Sequence, residues 1–227
     1  MLKFYYHPSP NPAKIALYLE ETGLDYEMVP VDTRRGEQHE LAFLKINPNA
    51  KTPALVDTDT ETTVFDSTAI LLYLADKTGR FPLPDDPTAK GQALSWLMFI
   101  ATGIGPYSGQ CVHFRHFAPA GNDYGVNRYD FEAKRHWQLI DDHLAEHRYM
   151  AGDKYGLVDI ALWGWCAPLP FIMGDDNAWD RYPNIKRLFD EINERPAAQR
   201  AQALKSQAEF KSEMDDDARR HMFPQNR

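Results

Sequence analysis

Apolar and polar positions follow two different rhythms along this chain. From Leu2 to Tyr6 a short aromatic, β-prone run ends at the breaker cluster His7-Pro8-Ser9-Pro10-Asn11-Pro12, which predicts a strand and then a turn. Lys14 to Glu21 carries Ile15, Leu17, Tyr18 and Leu19 and stops at Thr22-Gly23, so it predicts a helix. Tyr26 to Val31 predicts a second strand and Gln38 to Ile46 a short helix. Strands over Ala54 to Val56 and Thr62 to Phe65, separated by the turn-rich Asp57 to Glu61, lead into a helix over Ser67 to Lys77. The order β-α-β-α-β-β-α predicts a compact α/β unit.

Past Lys77 the rhythm changes. Thr78-Gly79-Arg80-Phe81-Pro82-Leu83-Pro84-Asp85-Asp86-Pro87 is dense in breakers and reads as a linker. Beyond it the strand signals stop. Thr88 to about Phe117 carries Leu94, Leu97, Met98 and Ile100 at helical spacing, with Gly103, Gly105 and Pro106 predicting a kink. After a loop at Ala118 to Asn122, Asp123 to His147 is a second long helix containing Tyr129, Phe131, Trp137, Leu139, Ile140 and Leu144. Further helices are predicted over Leu157 to about Ile172, Pro183 to Glu194 and Pro196 to Lys205, Pro196 suiting a first helical position. The expectation is an α/β domain over 1–78, a linker over 79–87 and an all-α domain over 88–205. The extension over 206–227, with Asp215-Asp216-Asp217 ahead of Arg219-Arg220, is charged and either solvated or folded across the mouth of a site.

Composition narrows the function classes. The chain has 227 residues, 43% hydrophobic and 26% charged, the profile of a soluble globular protein large enough to bury a core. A net charge of −8 without a basic stripe argues against nucleic acid and anionic membrane as partners. No apolar run approaches a membrane span, and Met1-Leu2-Lys3-Phe4-Tyr5-Tyr6-His7-Pro8 lacks the apolar core of a signal peptide, so the expected compartment is the cytoplasm. Cys111 and Cys166 are isolated and form neither a C-x-x-C pair nor a disulfide framework. Cys111 two residues from His113 is a weak nucleophile signal, and His113-x-x-His116 and His143-x-x-x-His147 lack the further ligands of a metal site; no metal is expected.

The candidate chemistry lies in the first eighty or so residues. Pro53 cannot donate to a central ladder, so it belongs at the first residue of its strand or at a turn, and the sequence leaves both cis and trans open for Thr52-Pro53. Lys51 and Thr52, just ahead of that strand, offer main-chain N–H and C=O groups to an extended peptide. Asp66 and Ser67 stand where a helix begins, and either cap it or form a pocket for a small carboxylate. Ser9 and Asn11 flank the first turn, and either cap the following helix or donate hydrogen bonds to a bound anion. Tyr5 and Tyr6 alternate across the first strand; aromatic burial competes with a catalytic hydroxyl at Tyr6.

Together these pieces resemble the glutathione site of the glutathione transferase superfamily. There the residue before a cis-proline pairs with the tripeptide backbone, an acidic-Ser pair holds the γ-glutamyl end, and the first domain has a thioredoxin-like fold. Ser9-Pro10-Asn11 with Lys14-Ile15, Asn47-Pro48-Asn49-x-Lys51-x-Pro53-Ala54-Leu55-Val56-Asp57, and Gly109-Gln110, His113-Phe114, His116 and Ala118-Pro119 resemble the Nu class of bacterial glutathione transferases. The turn where thioredoxins carry Cys-x-x-Cys holds no sulfur here, so by this resemblance the reactive sulfur belongs to bound glutathione, reduced or as the disulfide. The resemblance implies glutathione contacts from Gln38, at the glycine end, and from Lys51, Thr52, Pro53, Asp66 and Ser67. It further implies thiolate stabilisation by Asn11 and Ser9, with Tyr6 a second choice. Arg128, or Arg135 one helical repeat away, would lie near a second glutathione, and His113 and Phe114 would line the cleft. The implied activity is glutathione-dependent reduction of small disulfides. Conjugation to an electrophile or thioether cleavage is an alternative, and so is ligand binding without turnover. A homodimer is expected on the same ground. Tyr155-Gly156-Leu157-Val158-Asp159 resembles the superfamily's capping box, with glycine replacing the capping hydroxyl and Asp159 structural.

Overall fold

A computed structural model of the chain describes residues 1–226. The chain divides into two compact units: Met1–Thr78 together with the chain from Pro196 onward, and Gly79–Arg195.

In the first unit, β1 (Leu2–Tyr6) leads into α1 (Pro10–Thr22), then β2 (Tyr26–Pro30), a 3-10 turn at Glu37–His39, α2 (Leu41–Leu44), β3 (Ala54–Asp57), β4 (Thr62–Phe65) and α3 (Ser67–Thr78). The four strands lie in the order β2-β1-β3-β4, with β1 parallel to β2 and antiparallel to β3, and β3 antiparallel to β4. This is the thioredoxin-like arrangement. Strand β1 alternates buried Leu2, Phe4 and Tyr6 on one face with half-buried Lys3 and Tyr5 on the other, where Tyr5 packs on Phe43 of α2. Helix α1 starts four residues before the predicted Lys14, because Pro10 stands at the first helical position, where an N–H has no partner to lose.

A buried carboxylate ties the end of β3 to α3. Asp57 accepts hydrogen bonds from Lys77 Nζ at 2.5 Å, Tyr73 Oη at 2.6 Å and the Asp59 N–H at 3.1 Å. Burial acts to raise its carboxyl pKa, but these donors win and hold it at about 2.

The second unit is helical: α4 (Pro87–Phe99), α5 (Gly105–Val112), α6 (Asp123–Glu146), α7 (Leu157–Cys166), α8 (Leu169–Met173), α9 (Ala178–Arg181) and α10 (Pro183–Asn193). The predicted kink takes the form of π-helical turns at Ile100–Ile104 and His113–Phe117. Gly103 is needed there, since a Cβ would meet the His136 ring at 2.6 Å. The single helix predicted over 157–172 is broken after Cys166, where Pro168 and Pro170 interrupt the backbone pattern. Asp159 reaches back as expected, accepting from the N–H groups of Gly156 at 2.9 Å and Met150 at 2.8 Å.

Helix α11 (Pro196–Ala203), which patterning assigns to the helical domain, packs on α1 in the first unit. Ala197, Ala198 and Ala201 give it a flat buried face, and Arg200 Nε donates to Glu20 Oε2 at 2.6 Å. The charged extension beyond it is docked on the first unit. Phe210 lies edge-on to Tyr6 and His7, Arg34 donates to the carbonyls of Lys211 and Ser212, and Lys211 N–H donates to Asp32. A last helix, α12 (Asp216–Met222), is capped by Asp215 and buries Ala218 completely.

Candidate functional site

The turn after β1 carries the first pair of candidates. Ser9 is the N-cap residue of α1 by position, yet its hydroxyl makes no cap hydrogen bond; it donates weakly to the His7 carbonyl at 3.4 Å. Capping therefore does not use the Ser9 side chain. Asn11 is half-buried at the second position of α1, where the helix leaves N–H groups and partial positive charge.

Tyr6, the alternative hydroxyl, is buried against Phe4 and Phe210, and burial pushes its phenol up to about 12. Such a phenol stays neutral at physiological pH. His7 is also buried; its Nδ1 lies 3.1 Å from the Val31 carbonyl. Burial lowers its pKa, with the Asp32 charge acting in the opposite direction.

Lys51, Thr52 and Pro53 form the second group. The Thr52-Pro53 bond is cis, Pro53 is buried and Lys51 is exposed. The Asn47 amide donates to the Lys51 carbonyl at 2.6 Å and its oxygen accepts from the Asn49 N–H at 3.0 Å, which fixes the approach to β3. Among the described residues no hydrogen bond engages the main-chain N–H or C=O of Thr52. An extended peptide would meet two unfilled main-chain groups there.

Asp66 and Ser67 open α3. Asp66 has a left-handed backbone, φ 71°, and its Oδ1 accepts from the N–H groups of Thr68 at 2.8 Å and Ala69 at 3.1 Å. The capping alternative is thus realised by one carboxylate oxygen, and the residue is still exposed. Ser67 is buried beside it.

Gln38 is buried at the 3-10 turn. Its amide nitrogen donates to the Thr33 carbonyl at 3.1 Å and to the His221 carbonyl at 3.3 Å, while Oε1 has no partner. Sequence reasoning did not foresee that the carbonyl of His221, on the extension, would take a hydrogen bond from this side chain. No pattern in a polar tail encodes that contact.

The remaining candidates belong to the helical unit. Arg128 donates to Glu132 Oε1 at 2.8 Å, and Arg135 takes the other oxygen, so both guanidinium groups are occupied on one helix face. Phe114 stacks on Tyr129 at 5.1 Å over Gly125, where a Cβ would strike the ring. His113 is half-buried and burial lowers its pKa. The Cys111 thiol is buried, donates to the Ile172 carbonyl and is pushed up by that burial, which removes it as a nucleophile. No group of three or more His, Cys, Asp or Glu side chains suited to a metal occurs among the described residues.

The sulfur-free turn, the Thr52 main chain and the Asp66-Ser67 pair all belong to one thioredoxin-like unit. Two orphaned features fit a peptide ligand there: the Thr52 main-chain groups and Gln38 Oε1. Comparison with known proteins bears on that fit. Residues 1–76 match the glutathione S-transferase N-terminal domain and residues 131–191 the glutathione S-transferase C-terminal domain. The disulfide-bond oxidoreductase YfcG of Escherichia coli is 38% identical over 91% of this chain and 96% of its own length. A glutathione transferase from Burkholderia graminis, with two glutathione molecules bound per subunit, superposes with a TM-score of 0.82 at 33% identity, covering 91% of this chain and 89% of that one. One from Pseudomonas putida, with one glutathione disulfide bound per subunit, superposes with a TM-score of 0.80 at 34% identity, covering 88% and 90%. With both family domains matched and near full-length relatives above 30% identity, this chain belongs to the glutathione S-transferase family.

Proposed function

We propose that this protein is a glutathione-dependent enzyme that reduces small disulfides by thiol–disulfide exchange. The observation that carries the reading is the sulfur-free turn at the N-terminus of α1, in the same unit as a cis-proline edge with an unfilled Thr52 main chain. Glutathione, when bound, supplies the thiolate; two such thiols and one disulfide give glutathione disulfide and two thiols.

The chain's own residues do the rest. Thr52 pairs with the peptide main chain, Lys51 and Pro53 frame that edge, Asp66 and Ser67 take the γ-glutamyl end, and Gln38 takes the glycine end. Asn11 and Ser9 donate to the sulfur, aided by the helix N-terminus. A free thiol near pKa 8.5 is only a few per cent ionised at neutral pH. Lowering that pKa by about two units takes roughly 2.7 kcal/mol, which two hydrogen bonds to a charged acceptor at about 1.5–3 kcal/mol each supply. Tyr6 is left out, since its phenol is buried. Arg128, or Arg135, lies near a second glutathione with His113 and Phe114 lining the cleft, and without ligand both arginines pair with Glu132.

Disulfide reduction and thiol conjugation measured side by side, on the natural protein and on Asn11→Ala, test this. Reduction exceeding conjugation and falling in the variant supports it. Dominant conjugation or thioether cleavage favours a transferase in the narrower sense, and background rates with intact glutathione binding favour a binding protein. The same reading makes the protein a cytoplasmic homodimer, tested by sedimentation and cell fractionation.

A further inference from the structure

The extension beyond α11 lies along the segment 31–39, which carries Gln38. Lys211 N–H donates to the buried Asp32 carboxylate at 2.7 Å, and Arg34 Nη1 donates to the Lys211 and Ser212 carbonyls at 2.9 and 2.6 Å. At the other end of the segment the His221 carbonyl, in the last turn of α12, lies 3.3 Å from the Gln38 amide nitrogen and 3.0 Å from His39 Nε2. Carbonyls in a helix's last turn lack an intrahelical partner, and these donors serve that need. Gly36 permits the approach: its φ is 85°, and a Cβ there would strike the His221 ring.

Gln38 is 4% exposed, and its amide has two N–H donors. One goes to the Thr33 carbonyl at 3.1 Å and the other to the His221 carbonyl. Turning the amide over would set its oxygen against both carbonyls, so its orientation is fixed. What is left is Oε1, a buried acceptor without a hydrogen-bond partner among the described residues. An acceptor can meet a peptide N–H, but it repels a carboxylate.

We propose that the C-terminal extension is an autoinhibitory strap on the peptide site: docked α12 occupies, through the His221 carbonyl, the Gln38 donor that a terminal glycine carboxylate needs, and uptake of that carboxylate lifts α12 from Gln38. This rests on the glutathione reading above, in which Gln38 takes the glycine end, and adds its regulation. The carboxylate takes the freed N–H, while the His221 carbonyl, near the end of a seven-residue helix, passes to water. A charged acceptor competes well for that donor, since a hydrogen bond to it is roughly twice as strong as one to a neutral carbonyl. Linkage makes the coupling mutual: the docked strap weakens the ligand, and the ligand loosens the strap. Two neutral hydrogen bonds to one carbonyl correspond to a bias of about tenfold towards the docked form.

The test uses the full chain. Ala218→Glu sets a charge in the buried face of α12, and Arg34→Ala removes the two hydrogen bonds to the Lys211 and Ser212 carbonyls, so both should undock the extension. Calorimetric affinity is measured for glutathione and for γ-glutamyl-cysteinyl-glycinamide, whose glycine end carries no carboxylate. Hydrogen exchange over 207–222 is followed with and without each peptide. Both variants are expected to bind glutathione about tenfold more tightly than the natural protein does, and the glycinamide peptide no more tightly. Saturating glutathione should speed exchange over 207–222 in the natural protein, and the glycinamide peptide should not. Misfolding cannot raise affinity, and the exchange measurement on the natural protein decides whether or not the variants fold. Three results overturn the strap: an extension freed in the variants without tighter glutathione binding, equal gains for both peptides, or exchange in the natural protein that glutathione leaves unmoved or slows. The glutathione reading survives each of them if the natural protein binds glutathione; no binding by the natural protein or either variant removes both.

Discussion

Asp66 caps α3 and, in the proposed reading, also takes the γ-glutamyl end of glutathione, two roles that a pair of substitutions separates. Its Oδ1 caps α3 through Thr68 and Ala69, and its backbone sits at φ 71°. Asp66→Ala removes the cap, at about 1 kcal/mol, and places a Cβ residue without a polar side chain in the left-handed region, at roughly 1 kcal/mol more. A total near 2 kcal/mol follows. Asp66→Asn keeps an amide oxygen for both N–H groups and is among the residue types that tolerate positive φ, so its stability should fall by less than about 0.5 kcal/mol. Charge behaves differently, because a hydrogen bond to a charged group contributes about 1.5–3 kcal/mol. Both variants should therefore bind glutathione about tenfold to a hundredfold more weakly, and only Asp66→Ala should be clearly destabilised. Urea unfolding and calorimetric titration on the same samples give the two numbers. If Asp66→Asn binds glutathione as the natural protein does while Asp66→Ala is destabilised, Asp66 is a cap and nothing else, and the assignment of the γ-glutamyl end is wrong.

Two other perturbations follow from buried groups. Asp57→Asn leaves Lys77 without its carboxylate and should cost about 2 kcal/mol at neutral pH. Because Asp57 titrates at about 2 when folded, below its unfolded value of about 3.9, its contribution is present above about pH 4 and is lost as pH falls towards 2. The denaturation midpoint of the natural protein should drop through that window more steeply than that of Asp57→Asn; parallel curves would refute the network. Tyr6→Phe should leave the thiol pKa of bound glutathione and the reduction rate unchanged, since the phenol is buried. A raised thiol pKa in Tyr6→Phe would restore Tyr6 as the sulfur's donor.

Much of this was legible in the residues. The strands at Leu2–Tyr6 and Thr62–Phe65 are short β-prone runs bounded by breakers, and they fold where that pattern puts them. The Asp66-Ser67 pair was legible because a polar pair ahead of an apolar periodic run marks a helix start. The start of α1 was not, because three prolines close together read as a loop, yet Pro10 and Pro12 sit in a first turn that needs no N–H. Nor was the burial of Lys14, since a lysine at that spacing normally belongs to a solvated face. The docking of the extension depends on main-chain groups meeting Arg34, Asp32 and Gln38 and on one small residue, Ala218. Contacts of that kind leave no periodicity to read. The pairing of Arg128 with Glu132 is an i, i+4 contact that helix spacing does offer, and it competes with any ligand role.

In the proposed function, neutral donors at the Ser9 to Asn11 turn hold a borrowed sulfur as its anion. A pH titration of the ultraviolet thiolate absorbance of bound glutathione tests it most directly, in the natural protein and in Asn11→Ala. A bound thiol titrating about two units below the free value of about 8.5, and moving at least halfway back in Asn11→Ala, is the predicted result. A bound thiol that titrates at the free value in the natural protein, or one whose lowered pKa is untouched by Asn11→Ala, contradicts it.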